Sequence, residues 1–304
     1  MGFIVEVEKD GMILSSKFPW KIGIVLFMAY PSLQKSEEEL ERALSFLTID
    51  KFFDRLETSK ISEDGWKIFE KYARKRNIAR AFQPEILSGK NISATDETKR
   101  MEAVNYIKSE INIWVKRGVC EFALCSGPRE QNLEKCRKNL KKSLEEIAEY
   151  ASQYGAAIFL ETFDIDKDKK LVMGPIDEAA GLVRELRESY NNVFLMWDQS
   201  HAPLINEKPE LLEKHVDILG EIHIGCAIQT KEGLKDWHPV YHTPGAINDE
   251  YDLSRLLRKL YEIKYCGPIS VEIKPQEGQT SEEVINSAKG AIYAAYSLTV
   301  ESII

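Results

Sequence analysis

The sequence predicts an α/β fold, a (β/α)8 barrel with a short N-terminal β-hairpin. Three observations predict it. Short apolar runs alternate with longer amphipathic stretches about eight times along 304 residues; runs of this length read as fully buried strands, and eight strand–helix units are the number that closes a parallel barrel. No linker rich in Pro, Gly or Ser breaks the series, so residues 1–304 read as one domain with 1–16 as a hairpin extension. Four of the apolar runs also lead into a metal-ligand type of side chain, at Glu161, Asp198, His223 and Glu272. An open doubly wound sheet is the alternative, but its phosphate-binding glycine motif is not found.

The elements follow in order. An alternating run at 3–8 meets Lys9-Asp10-Gly11 and a second apolar run from Met12; Asp-Gly between two such runs signals a hairpin, placed here to plug one end of the barrel. Residues 21–29 form the first barrel strand and 36–47 a helix. Strand two covers 52–57, with a helix over 65–75. Strand three covers 78–82, with a helix over 96–116. Strand four covers 120–125 and stops at Ser126-Gly127-Pro128. The next helix is the clearest, because Leu133, Cys136, Leu140, Leu144 and Ile147 recur at three- and four-residue steps between charged residues, one apolar stripe on a polar cylinder. The strand ending at Glu161 leads to a helix at 176–188. The Asp198 strand leads to a helix at 209–219 that Gly220 stops. The His223 strand is followed by a long polar loop, 231–250, and a helix at 253–263. The Glu272 strand comes next, and Thr280-Ser281-Glu282-Glu283 opens the last helix with a capping-box pattern, running to about 296.

A carboxylate or imidazole just past a buried strand is badly placed for packing and well placed for a cation or a polar substrate. In a closed parallel barrel, active sites form at the strand C-termini and the loops after them. Glu161, Asp198, His223 and Glu272 end what count as strands five to eight, so their side chains can converge on one divalent ion. One strand-end glutamate is more often a cap or salt-bridge partner; the series of four carries the reading. Three carboxylates and one imidazole suit Mn²⁺ first, with Mg²⁺, Zn²⁺, Co²⁺ or Fe²⁺ as alternatives. Lys274 lies two residues past Glu272 and shares its strand face, where it can meet an anionic group or snorkel to the rim. Glu57 reads as a salt-bridge partner near the pocket, Trp20 and Trp237 as stacking surfaces for a sugar ring, Trp197 as core, His242 as part of a loop over the site, and Arg129 as a partner for an anion.

The net charge is −8 and no long Lys/Arg block occurs, which argues against nucleic acid as a partner because its binders present a basic face. No apolar segment reaches the ~20 residues needed to span a bilayer. The five cysteines form no CxxC pair and no signal peptide precedes them, so they read as reduced thiols in a cytoplasm, with Cys125 and Cys226 in the core. Assembly into a homo-oligomer is left open.

The residues Leu160-Glu161-Thr162, Asp198-Gln199-Ser200-His201, His223, a loop containing Pro244-Gly245, and Val271-Glu272-Ile273 resemble the xylose isomerase-like TIM barrels. That superfamily includes ketose 3-epimerases, hydroxypyruvate isomerases, inosose dehydratases and the apurinic endonucleases of the second family. The resemblance implies one divalent metal held by Glu161, Asp198, His223 and Glu272, proton shuttling by Glu161 and Glu272, and substrate contact by His201. Two epimerase positions differ. Lys167 stands where a substrate-binding acid is usual, and Gln229 where an arginine is usual, which argues against a free ketohexose. The endonuclease branch uses a histidine matching His201 and an Asp-x-His like Asp236-Trp237-His238, but it also needs two histidines in its first half. All five histidines here (201, 215, 223, 238 and 242) lie in the last third. Asp236 and His238 are therefore expected to bind substrate hydroxyls or line the pocket, with a second cation at His201, Asp236 and His238 as the alternative.

The expected function is a divalent-metal-dependent isomerase or epimerase of a small sugar, keto-polyol or related polyhydroxy carbonyl compound. One of Glu161 and Glu272 removes the proton beside the carbonyl to give an enediolate, and the other returns a proton from the opposite face or to the next carbon. The alternatives are a metal-dependent phosphodiesterase of the apurinic endonuclease type and a non-catalytic sugar-binding barrel.

Overall fold

The computed structural model describes residues 2–33, 36–49, 51–73 and 76–303. An antiparallel hairpin comes first, β1 (Ile4–Lys9) and β2 (Met12–Lys17). Its turn residues Asp10 and Gly11 both have positive φ, 53° and 77°, as a tight two-residue hairpin requires. Val5 and Val7 point inward, and Phe3 stacks on Phe18 and Phe52 and meets Tyr293 and Tyr296. The hairpin thus packs beside the segments that enter the first two barrel strands, at the end away from the strand C-termini.

The barrel then builds in order as β3 (Ile22–Val25), α1 (Leu26–Ala29), α2 (Glu37–Ile49), β4 (Arg55–Thr58), α3 (Glu63–Ala73), β5 (Asn77–Ala81), α4 (Gln83–Leu87), α5 (Glu97–Lys116), β6 (Glu121–Cys125), α6 (Leu133–Ser152), β7 (Ala157–Glu161), α7 (Ile176–Arg187), β8 (Val193–Asp198), β9 (Leu219–Ile224), a small hairpin β10 (Ile228–Thr230) and β11 (Gly233–Lys235), α8 (Glu250–Glu262), β12 (Ile269–Val271) and α9 (Ser281–Ile303). Eight strands close in the order β12-β3-β4-β5-β6-β7-β8-β9, and every pairing is parallel. This is the (β/α)8 barrel that the alternation predicts.

Side chains alternate across each strand. Leu56, Phe122, Leu124, Ile158, Leu160, Leu195, Trp197, Ile222 and Val271 join the large core under the helices. Ala123, Phe159 and Met196 form a separate apolar cluster inside the barrel. The same alternation sends Arg55 and Glu57 of β4, Glu221 and His223 of β9, and Ser270 of β12 into the interior, where all are at most 2 % exposed.

The structure corrects several boundaries. The predicted strand 21–29 ends at Val25 and turns into α1. Phe52 and Phe53 precede β4 rather than belong to it; their rings pack edge-on against each other. Residues 74 and 75 of the predicted helix 65–75 lie outside the described residues. The predicted helix at 209–219 is a 3₁₀ segment, Pro209–His215, with only Leu212 and His215 buried, too little apolar face to hold a longer helix. Gly220 is not a helix stop. It lies in β9 at a register shift against β8, and a Cβ there would sit 2.5 Å from the Phe159 ring and 2.7 Å from Phe194 Cβ. The 231–250 loop contains β11, and the last helix continues to Ile303. Cys125 and Cys226 are buried, and all five cysteines are free. Among the described residues, no helix is long and apolar enough to cross a membrane.

Candidate active site

Glu161, Asp198, His223 and Glu272 reach one place. One ligand atom from each lies within 4.8 Å of all the others, and all four residues are buried. Register explains the convergence: Glu161 ends β7, Asp198 ends β8 opposite His223 of β9, and Glu272 directly follows β12. His223 Nδ1 is 2.7 Å from Glu272 Oε2, 3.8 Å from Glu161 Oε1 and 4.0 Å from Asp198 Oδ2. Its Nε2 faces the other way, 3.1 Å from Glu57 Oε2.

The remaining carboxylate oxygens are held from behind. Gln83 donates to Glu161 Oε2 at 2.7 Å. The Ser200 N–H and hydroxyl both donate to Asp198 Oδ1, at 2.6 and 2.7 Å. That leaves Glu161 Oε1 and Asp198 Oδ2 buried with no hydrogen-bond partner. A buried polar atom in that state costs about 1–3 kcal/mol, more when charged. Ligand atoms about 2.0–2.2 Å from an ion are at most about 4.4 Å apart, so small side-chain movements would bring these four atoms to the spacing a divalent cation requires. Three carboxylates and an imidazole are a donor set for such a cation. The residues fit the group.

A second cluster adjoins the first. Asp198, His201 and His238 also offer ligand atoms within 4.8 Å of one another. His201 Nδ1 donates to the Thr162 carbonyl at 2.9 Å, which fixes the proton on Nδ1 and aims Nε2 at Asp236 Oδ1, 3.3 Å away. Phe163 covers the His201 ring, with centroids 4.1 Å apart. His238 Nε2 is 2.6 Å from the same Asp236 oxygen. His238 holds φ at 50°, a region that few non-glycine residues occupy, and its carbonyl accepts the Lys274 N–H.

Charges in so small a space shift one another. Burial pushes Glu161 up to about 8, against the pull of His201 and with Glu272 adding to the rise. Burial opposes ionisation of Asp236 too, but His238 and His201 hold it well below the usual carboxylate range. Burial disfavours a charged His238, yet Asp236 lifts it to about 9.

The clusters form the floor of a cavity of about 660 Å³. Of the sequence-predicted residues, Glu161, His223, Glu272, Asp236, His238 and Lys274 line it, and Glu57 and Trp237 line it too. Asp198 and His201 sit beneath. Trp237 is 47 % exposed at the rim. Other expectations fail. Trp20 is buried away from the cavity, donating to the Tyr265 carbonyl. His242 pairs with Glu250 instead of lying over the site. Arg129 is exposed and does not line the cavity. Lys167 and Gln229, the two positions that depart from the epimerase pattern, are exposed and outside the cavity lining as well.

Two segments that contribute to the site carry little sequence signal. Gln83 and Pro84 arrive on α4, a five-residue helix that only Pro84 near its start announces. Lys169 comes from the loop after β7, which the Asp164 carboxylate ties by accepting the N–H groups of Lys167, Asp168 and Lys169. Lys169 Nζ reaches the Asp236 carbonyl at 3.0 Å and its carboxylate at 3.5 Å.

The family profile described as xylose isomerase-like TIM barrel matches residues 45–289. The chain belongs to that family. Among solved structures, this xylose isomerase-like barrel resembles L-ribulose 3-epimerase with a TM-score of 0.74 at 18 % identity, covering 93 % of this chain and 97 % of that one. A D-tagatose 3-epimerase-like protein gives 0.71 at 21 % identity, over 93 % and 100 % of the two chains. The IOLI protein, solved with a bound zinc atom, gives 0.69 at 20 % identity, over 92 % and 99 %. At these identities the likeness establishes the fold. No curated protein matches the sequence.

Proposed function

We propose that this xylose isomerase-like barrel is a divalent-metal-dependent isomerase or epimerase of a small sugar, keto-polyol or related polyhydroxy carbonyl compound. The observation that carries the reading is the buried cage of Glu161, Asp198, His223 and Glu272 at the floor of a cavity. The names of the structural neighbours, L-ribulose 3-epimerase among them, agree with it. Mn²⁺ suits the oxygen-rich donor set best, with Mg²⁺, Zn²⁺ or Co²⁺ as alternatives.

A divalent cation in that cage supplies Lewis acidity, which lowers the pKa of a C–H bond beside a substrate carbonyl. The protein's own groups do the rest. Glu161 and Glu272 are the proton carriers, one removing the proton next to the carbonyl and the other delivering a proton of its own. Return to the same carbon from the opposite face is epimerisation; return to the neighbouring carbon is aldose–ketose isomerisation. General acid–base catalysis of this kind contributes about 10²–10⁴-fold. The Gln83 hydrogen bond fixes the Glu161 carboxyl plane. Asp236 and His238 bind substrate hydroxyls; His201, expected to do the same, lies beneath the cavity and backs Asp236 instead, and Lys274 faces an anionic or enediolate oxygen. Phe27, Met28, Pro84, Leu87 and Trp237 form an apolar wall that covers C–H faces of the substrate and keeps water out.

The test is solvent deuterium incorporation into a panel of ketoses, aldoses and inososes with Mn²⁺ present. Exchange at the carbon next to the carbonyl, lost in Glu161→Gln, is expected; no exchange across the panel overturns the reading. The second cluster, Asp198, His201 and His238, favours one alternative, a metal phosphodiesterase with more than one cation. A metal count near one per chain and no cleavage of abasic DNA remove it.

A further inference from the structure

Glu57 was read from the sequence as a salt-bridge partner. Its surroundings point to a more specific task. Glu57 is fully buried inside the barrel, and Oε2 lies 3.1 Å from His223 Nε2. The opposite ring nitrogen, Nδ1, is the one that faces Glu161, Asp198 and Glu272. A neutral imidazole carries one proton. If it sits on Nδ1, no lone pair faces the carboxylate cage; if it sits on Nε2, Nδ1 is free to act as a ligand.

Glu57 is itself held. Arg55, two residues earlier on the same strand face, is 1 % exposed; its Nε is 3.5 Å from Glu57 Oε1 and its Nη2 2.8 Å from Glu221 Oε2. Arg55 also pairs with Glu121 and Asn77. Ser270 donates to Glu221. The guanidinium can cross the barrel from β4 to β9 because the strands between them offer little bulk. At Gly23 of β3 a Cβ would lie 2.0 Å from Ser270 Oγ and 3.2 Å from Arg55 Cβ. The interior is therefore a braced stack, Glu121–Arg55–Glu57–His223, that ends on the cage.

We propose that Glu57 is a positioning residue. It takes the Nε2 proton of His223 as a hydrogen bond, fixes the ring's tautomer and orientation, and so presents Nδ1 to the cation; Arg55, itself held by Glu221, pairs with Glu57 and steadies it for this task. The inference rests on the proposed cation site, because it assigns the residue that orients one of its ligands. Outer carboxylates on ligand histidines typically matter by about 10–100-fold in metal affinity.

The experiment combines Zn²⁺ titration of the full chain with ¹⁵N-histidine NMR, for wild type, Glu57→Ala and Glu57→Gln. In zinc-loaded wild type, His223 should carry its proton on Nε2 and none on Nδ1. Glu57→Ala should bind Zn²⁺ about 10–100-fold more weakly and lose the protected Nε2 proton. Glu57→Gln, which keeps an acceptor oxygen, should recover most of the affinity. A proton on Nδ1 in zinc-loaded wild type overturns the proposal, as does unchanged affinity in a folded Glu57→Ala. If wild type takes up no Zn²⁺, the cation reading fails by itself. The metal-free spectrum then decides Glu57 alone: a protected Nε2 proton supports the hydrogen bond and an unprotonated Nε2 overturns it. The spectrum of wild type decides the matter even if Glu57→Ala does not fold.

Discussion

Gly225 runs so close beneath Glu272 that a Cβ on it would lie 2.4 Å from the Glu272 carbonyl oxygen. The contact sits where β9 leaves the barrel, one residue after Ile224 accepts the Glu272 N–H at 2.9 Å. The obstacle is backbone, so it cannot swing aside. Gly225→Ala should cost about 1–3 kcal/mol, the usual range for overpacking, and should displace Glu272 from the cage. Thermal unfolding with and without Mn²⁺ checks both: a lower melting temperature and a smaller metal-induced rise are expected.

Arg55 places a positive charge inside the barrel, among Glu57, Glu121 and Glu221. Removing one member of a buried ionic network leaves the others uncompensated and typically costs about 3–5 kcal/mol. Arg55→Met keeps much of the volume and loses the charge. Urea denaturation should show a loss of that order, and the double variant Arg55→Met, Glu221→Met should recover part of it.

The loop after β7 depends on one carboxylate. Asp164 accepts three N–H groups at 2.7–2.8 Å, and the loop it shapes delivers Lys169 to Asp236. Asp164→Ala should cost about 1–3 kcal/mol through the unpaired donors. Hydrogen exchange should quicken at residues 167–169 while the β7 amides stay protected.

Trp237 lines the cavity while remaining half exposed, so it adds little to the core. Trp237→Ala should leave the melting temperature within about 1 °C, since surface changes stay within about 0.5 kcal/mol. If the indole stacks on substrate in ground and transition states alike, KM rises and kcat holds. Steady-state kinetics on whichever substrate shows deuterium exchange makes that measurement.

The barrel was legible because its signal is periodic. Alternating strand and helix runs, and a ligand-type residue at the ends of β7, β8 and β12 and within β9, need only local sequence to be seen. Glycine after an apolar helix-like stretch is the usual stop signal, whereas the cause at Gly220 is the Phe159 and Phe194 side chains, which come from β7 and β8. Gln83 and Lys169 reach the site on a short helix and an irregular loop, where no hydrophobic period marks direction. Glu57 was visible, but its partner His223 is 166 residues away; its role follows only from barrel closure. Arg-x-Glu in β4 and Glu-x-His in β9 place charged residues at alternate positions of buried strands, a pattern that marks the barrel interior once closure is known.

The central claim is that Glu161, Asp198, His223 and Glu272 enclose one divalent cation. Calorimetric titration of the metal-stripped protein with Mn²⁺ tests it most directly. One binding event per chain is predicted, weakened at least about 10-fold in Glu161→Gln and again in Asp198→Asn, with both variants folded. No heat of binding in the wild-type protein, or isotherms in the variants that match it, would contradict the claim.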